Sequence, residues 1–192
     1  CRFVEGDFLE AEGPASLQEG TPGARFDAAY AIEAFSHAAH PATFFERAAA
    51  RLAEDGVLFL CDDFSAEPAD PPERGLRRSV RRQRALEAFR QGWQLGPLPG
   101  EEDARAMTRA QGLELVGRTD LTPYLRARSA RAAVTRGLLG LLPFSGPWIS
   151  SRRGGAALQV CLRRGWVRYL YLVFRKRRAE TAGDPGAEDP AT

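Results

Sequence analysis

No stretch of this sequence is apolar for long enough to cross a bilayer. The longest candidate, 137–149, is interrupted by Pro143, Ser145, Gly146 and Pro147. The first residues lack the basic, apolar and small-residue order of a secretory signal. Cysteine is scarce: Cys1, Cys61 and Cys161 are odd in number and widely spaced, which suggests neither a disulfide framework nor a zinc site. The thiols read as reduced groups of a cytoplasmic protein. Lysine is almost missing, Lys176 being the only one, so arginine carries the basic side; with the many alanines this points to GC-rich, bacterial coding. An excess of one charge is absent too. With 27 basic and 25 acidic residues the formal net charge is +2, and the molecule's overall field demands no nucleic-acid partner. No internal repeat is found. What remains is 192 residues, 44% hydrophobic and 27% charged, enough for one globular domain with a core and too little for two.

Local patterns divide the chain into alternating strands and helices. Arg2 to Phe8 reads as a short strand ending at Gly6-Asp7, and Leu9 to Arg25 as a Gly/Pro/Glu-rich loop. A strand follows over Phe26 to Ala31. Pro41 then opens a helix, where proline is tolerated in the first turn. Phe44, Phe45, Ala48, Ala49 and Leu52 fall on one face of it at helical spacing. Asp55-Gly56 is expected to end that helix, with glycine as the left-handed stop. Val57 to Cys61, continuously apolar, reads as a strand covered on both faces.

Beyond a proline-rich break, Arg74 to Trp93 reads as an amphipathic helix with Leu76, Val80, Leu86, Phe89 and Trp93 along one stripe. Glu101-Glu102-Asp103 puts negative charge on the first turn of the next helix, favourable against its dipole. That helix stops at Gly112, and Leu113 to Thr119 is the next strand. Ser129 to Leu142 reads as helix, Pro143 to Gly155 as loop and Ala156 to Arg163 as a short helix stopped by Gly165. Trp166 to Phe174, WVRYLYLVF, is dense in β-formers and reads as a strand. Residues 1–176 make up the domain, and 177–192, charged and then Ala/Gly/Asp/Pro-rich, read as a disordered tail.

Four segments in this order carry a family resemblance: VEGDF, FDAAYAIEAFSHAAHP, RLAEDGVLFLCDDF and AQGLELVGRTDLTPYL. They resemble the third-strand, fourth-strand, strand-five and strand-six motifs of class I S-adenosylmethionine-dependent methyltransferases. The subgroup they are most similar to acts on small molecules of the sterol and tocopherol type. The resemblance implies an α/β fold with a Rossmann-like methyltransferase sheet and helical insertions around strand six. It also implies an incomplete one, because the first strands and the glycine-rich cofactor loop have no counterpart here, as expected of a piece truncated at its N-terminus. Such a piece is expected to bind S-adenosylmethionine poorly or not at all.

Carried over residue by residue, the resemblance has Asp7 accept the adenine amine and Phe8 flank the ring. Ala31 and Ile32 would approach the cofactor's methionine portion through backbone, and His37 would face the transferred methyl. Glu33 would contact the acceptor or the cofactor, or face solvent, and Tyr124, Phe144 and Trp148 would wall a small, hydrophobic acceptor pocket. Asp7 could equally be a turn residue and His37 a satisfied polar residue at a helix entry. Histidine is nevertheless the best general base among these side chains. His40, just before Pro41, reads as structural. The Asp62-Asp63 pair reads as a strand-end cap rather than a metal site, since adjacent strand residues point to opposite faces.

Two other classes compete. The arginines at 74, 77, 78, 81, 82 and 84 could form a basic module for RNA or anionic lipid. No aromatic residues are interleaved for base stacking, so a solvated helix face is the simpler reading. The chain could also be a catalytically dead methyltransferase-like scaffold.

Overall fold

In the computed structural model, the residues described are Leu9, 25–66, 76–125 and 147–178; for 76–78 and 147–149 this extends to the backbone only. The elements are β1 (Phe26–Ile32), a 3-10 turn (Phe35–His37), α1 (Pro41–Arg51), β2 (Leu52–Ser65), α2 (Leu76–Trp93), α3 (Glu101–Ala110), β3 (Leu113–Asp120), a second 3-10 turn (Thr122–Tyr124), α4 (Pro147–Arg163) and β4 (Val167–Lys176). The strands form one sheet in the order β1-β2-β4-β3. β1 and β2 run parallel, while β4 lies antiparallel between β2 and β3. The fold is thus α/β with a mixed, Rossmann-like sheet. A parallel pair needs a crossover, and α1 supplies it between β1 and β2.

One sheet face is closed by α1 and the first 3-10 turn. Phe35, Phe45, Leu52, Leu58, Leu60, Phe64, Leu172 and Phe174 are all fully buried there. The opposite face is more open, contrary to the expectation of two-sided cover: Val57, Phe59 and Cys61 are only half-buried, and Tyr30 and Ile32 on β1 are exposed. Phe59 stacks on Tyr171 across β2 and β4, with ring centroids 6.3 Å apart.

Three local expectations are corrected. Helix α1 ends at Arg51 rather than at Asp55-Gly56, and β2 begins at once with Leu52. The left-handed residue is Asp55, at φ 62°. Gly56 is required for a different reason: a Cβ there would lie 2.8 Å from the Ala53 carbonyl oxygen. At the end of α1 the chain's single lysine donates its Nζ to the Ala49 carbonyl and to that of Leu52, the first residue of β2, at 3.0 Å each, and Arg25 donates to the Ala50 carbonyl.

The second correction concerns the expected loop at Pro143 to Gly155, which is helical from Pro147 onward and continuous with the rest of α4. Glycine pairs argue against helix locally. Here α2 crosses α4 so closely that a Cβ on Gly92 would lie 2.4 Å from the Gly154 Cα. Trp93 covers Gly154 and Gly155, and its indole N–H donates to the Ser151 carbonyl at 3.1 Å. Packing between the helices overrides propensity. Third, Val80 is exposed rather than part of an apolar stripe, whereas Phe89 is fully buried against Leu158, Cys161, Trp166 and Val167. The predicted Ser129 to Leu142 helix and the Arg2 to Phe8 strand lie outside the described residues.

Candidate functional site

Ligands of open α/β sheets collect beyond the carboxyl ends of parallel strands. In this sheet that means the ends of β1 and β2. The chain leaves β1 through Glu33, held at φ 51°, while the Glu33 amide still donates to the Cys61 carbonyl at 2.9 Å. It then drops Phe35 into the core, with its ring 5.1 Å from Phe44, 5.0 Å from Phe45 and 5.7 Å from Phe64. Buried Asp62 at the end of β2 fixes the turn from beneath. It accepts from the Ser36 amide at 3.1 Å and from the Asp63 amide at 2.8 Å.

From above, the Gly96 amide donates to the Ser36 carbonyl at 2.8 Å, and Arg90 Nε donates to the Gly96 carbonyl at 2.8 Å. His37 is therefore presented, exposed, on a loop pinned by the sheet below and by the end of α2 above.

Two hollows meet at His37. A mainly apolar groove of about 550 Å³ runs along the end of β1, lined by Ala29, Ala31, Ile32, Ala34 and Phe44 among others. A more polar cleft of about 560 Å³ lies under the α2–α4 pair and is lined by Gln91, Trp93, Gln94, Ser150 and Ser151. His37 lines both.

Carboxylates gather on the far side of the same strand ends. Tyr169 on β4 donates its hydroxyl to Glu33 Oε1 at 3.3 Å. Burial, the neighbouring Cys61 thiol and the Glu33 carboxylate all push its phenol upward. Asp63 is cross-strand from Tyr169 and only 8% exposed. Burial, Asp62 and Glu33 together push its carboxyl up to about 7. Cys161 on α4 is pushed up to about 11, by burial and then by Asp63, so it is an inert thiol.

Asp63 sets a pH dependence. The unfolded chain releases this proton at about 3.9, whereas the folded chain keeps it to about 7. Between those values the folded state holds the extra proton, so Asp63 makes stability fall as pH rises through the window and has no further effect above it. The difference is on the order of 4 kcal/mol. Urea unfolding of wild type and Asp63→Asn from pH 4 to pH 8 should therefore show the variant gaining relative stability with rising pH. Parallel curves for the two proteins would remove Asp63 as the cause.

The structure brings Ala31, Ile32, Glu33 and His37 together at one strand end. Tyr124 stands 79% exposed on the turn after β3 and lines neither hollow. Asp7, Phe8 and Phe144 lie outside the described residues; Trp148 has its backbone in α4, and its side chain lies outside them. Of the arginine run, Arg81 and Arg84 are exposed, whereas Arg82 turns inward and donates to the Ala66 carbonyl at 3.1 Å. Sequence reasoning missed Tyr169, hidden in a run of β-formers, and missed the different fates of Asp62 and Asp63. The adjacency of two aspartates at a strand end was the available signal.

Among the described residues no helix is long and apolar enough to cross a membrane, and no group of three or more His, Cys, Asp or Glu is placed to hold a metal ion.

No family model matches the sequence, and no curated protein matches it. Solved structures do. A protein from Galdieria sulphuraria provisionally assigned as a sarcosine dimethylglycine methyltransferase is 18% identical, with a TM-score of 0.59 over 90% of this chain and 58% of its own. An O-methyltransferase from a trans-AT PKS multienzyme of Brevibacillus brevis, solved with S-adenosyl-L-homocysteine, is 16% identical, with a TM-score of 0.56 over 80% of this chain and 45% of its own. The [4+2]-cyclase SpnF is 18% identical, with a TM-score of 0.54 over 90% of this chain and 54% of its own. The chain spans about half the length of these structures. Its fold is the one that S-adenosylmethionine-dependent methyltransferases adopt, over the part of their length that it covers.

Proposed function

We propose that the protein transfers a methyl group from S-adenosylmethionine to a small, mainly hydrophobic acceptor. The observation that carries this reading is His37, which lines both the groove along β1 and the cleft under α2 and α4. Two ligands, one on each side, would meet at that side chain. The groove suits the less polar part of the cofactor: Ala29, Ala31 and Ala34 leave room along the end of β1. Asp7 and Phe8 are the residues assigned to the adenine.

When bound, the cofactor supplies an electrophilic methyl on a sulfonium. Methyl transfer is largely a matter of alignment, so a loop fixed from both sides can provide much of the acceleration. In this reading His37 orients the acceptor and holds its proton where one must be lost. The α2–α4 pair, with Trp93, forms one wall of the cleft beside it. The kinship with a [4+2]-cyclase means that the fold by itself does not select the reaction.

Calorimetric titration of S-adenosylhomocysteine into the protein as encoded tests the reading. These 192 residues alone should bind it poorly or not at all, whereas a longer form that supplies a glycine-rich cofactor loop should bind it at micromolar concentration. Asp7→Ala should weaken it by about tenfold or more, the loss of a charge-assisted hydrogen bond. His37→Ala should leave that affinity unchanged and lower turnover. Undetectable binding by that longer form, or undiminished affinity of its Asp7→Ala variant, would count against the respective assignment.

A further inference from the structure

Of the three carboxylates at the strand ends, two have their work within the protein. Asp62 has both oxygens occupied by backbone amides, from Ser36 at 3.1 Å and from Asp63 at 2.8 Å. Glu33 takes the Tyr169 hydroxyl. Asp63 is the third. It is 8% exposed, and its Oδ1 has no hydrogen-bond partner.

A buried carboxylate oxygen without a donor is costly, and native structures rarely leave one. Where they do, a ligand is a common reason. The side chain alternates away from Asp62, onto the sheet face that carries Cys61 and Tyr169. Its surroundings there include the Tyr169 hydroxyl, already given to Glu33, and the Cys161 thiol of α4, which stays protonated and also feels the Arg82 charge. Neither group supplies a hydrogen bond to Oδ1.

We propose that Asp63 is a specificity-determining residue that holds a proton-bearing nitrogen or oxygen of the acceptor at the carboxyl end of β2. This rests on the functional reading above for the identity of the ligand, and on geometry alone for the carboxylate. The local charge fixes the kind of group. With Glu33 and Asp62 nearby, an anion would be repelled, whereas an ammonium or a hydroxyl supplies the missing donor and an ammonium also offsets the charge. A site built to hydrogen-bond such a group discriminates strongly against an analogue lacking it. His37, on the loop that Asp62 fixes, then acts on one part of the acceptor while Asp63 selects another.

The test uses two probes of equal chain length, octylammonium chloride and 1-octanol, titrated calorimetrically at pH 8 into wild type, Asp63→Asn and Glu114→Gln. Glu114 is a surface carboxylate at the opposite, amino end of β3. Asp63→Asn is nearly isosteric and removes a buried charge, so the variant retains its fold. Wild type and Glu114→Gln should prefer octylammonium by about tenfold or more, and Asp63→Asn should lose that preference. Equal binding of the two probes by wild type, or a preference that survives in Asp63→Asn, overturns the proposal. Titrating S-adenosylhomocysteine in parallel separates the two readings. Equal probe binding by wild type, where a form carrying the glycine-rich loop binds S-adenosylhomocysteine, sinks the Asp63 assignment alone. A wild-type preference that Asp63→Asn abolishes, where that form does not bind S-adenosylhomocysteine, sinks methyl transfer and leaves Asp63 as a ligand-holding carboxylate.

Discussion

Replacing Phe35 with alanine is expected to lower the free energy of unfolding by about 3–5 kcal/mol, the range for truncating a fully buried aromatic. Phe35 is 0% exposed and its ring touches those of Phe44, Phe45 and Phe64, which come from α1 and β2. Removing it opens a cavity that these two elements cannot close. Domains of this size are stable by only about 5–15 kcal/mol, so the loss is a large share of the total. Phe59→Ala provides the comparison: Phe59 is half-buried on the open sheet face and should cost clearly less. Urea unfolding of the two variants measures both. A Phe35→Ala cost no greater than that of Phe59→Ala would show that this ring is not what seats the turn. Because Phe35 lies two residues before His37, the variant should also broaden the His37 imidazole signals in NMR.

Gly96→Ala is expected to unseat the same turn from the other side. A Cβ at Gly96 would lie 2.2 Å from the Ala38 carbonyl oxygen and 2.9 Å from its carbonyl carbon. Both are backbone atoms, so no rotamer change can relieve the clash. The Gly96 amide bond to Ser36 and the Arg90 bond to the Gly96 carbonyl must lengthen, and the end of α2 must move away from the loop that carries His37. Forced overpacking of this kind costs about 1–3 kcal/mol, and a backbone clash belongs at the upper end. Gly100→Ala is the control, because a Cβ there meets nothing nearer than Asp103 Oδ2 at 3.4 Å, and the backbone, at φ −76° and ψ 170°, suits any residue. Thermal unfolding and His37 chemical shifts should change in Gly96→Ala and stay near wild type in Gly100→Ala. Unaltered His37 shifts in Gly96→Ala would show that the cleft and the loop are not coupled through this contact.

Much of this site could be read from the sequence because its pieces are local. FDAAYAIEAFSHAAHP announces a strand, a polar loop and a proline-opened helix within a few residues, so Glu33 and His37 were recognisable as loop residues at a strand end. Gly112 and Gly165, at φ 70° and 64°, stop α3 and α4 as expected of the left-handed residue after a helix. Other features depended on remote partners. Asp62 meets Ser36 across 26 positions, and Tyr169 meets Glu33 across 136. No window of ten or so residues contains either pairing. The same holds for Gly154, a helix breaker by propensity whose place in α4 is set by Gly92 on α2.

By itself, the sequence determined most of the described strands and helices, though not all their bounds, and that histidine and carboxylates collect at the strand ends, since backbone preference and apolar period act over a turn or a pleat. The tertiary structure decided that β4 lies antiparallel between β2 and β3, that Asp62 is satisfied and Asp63 is not, and that His37 lines two hollows at once. Those outcomes turn on which distant segments pack together. Adjacent residues of one strand face opposite sides of the sheet, so identical aspartates acquire different neighbours, and with them different chemistry.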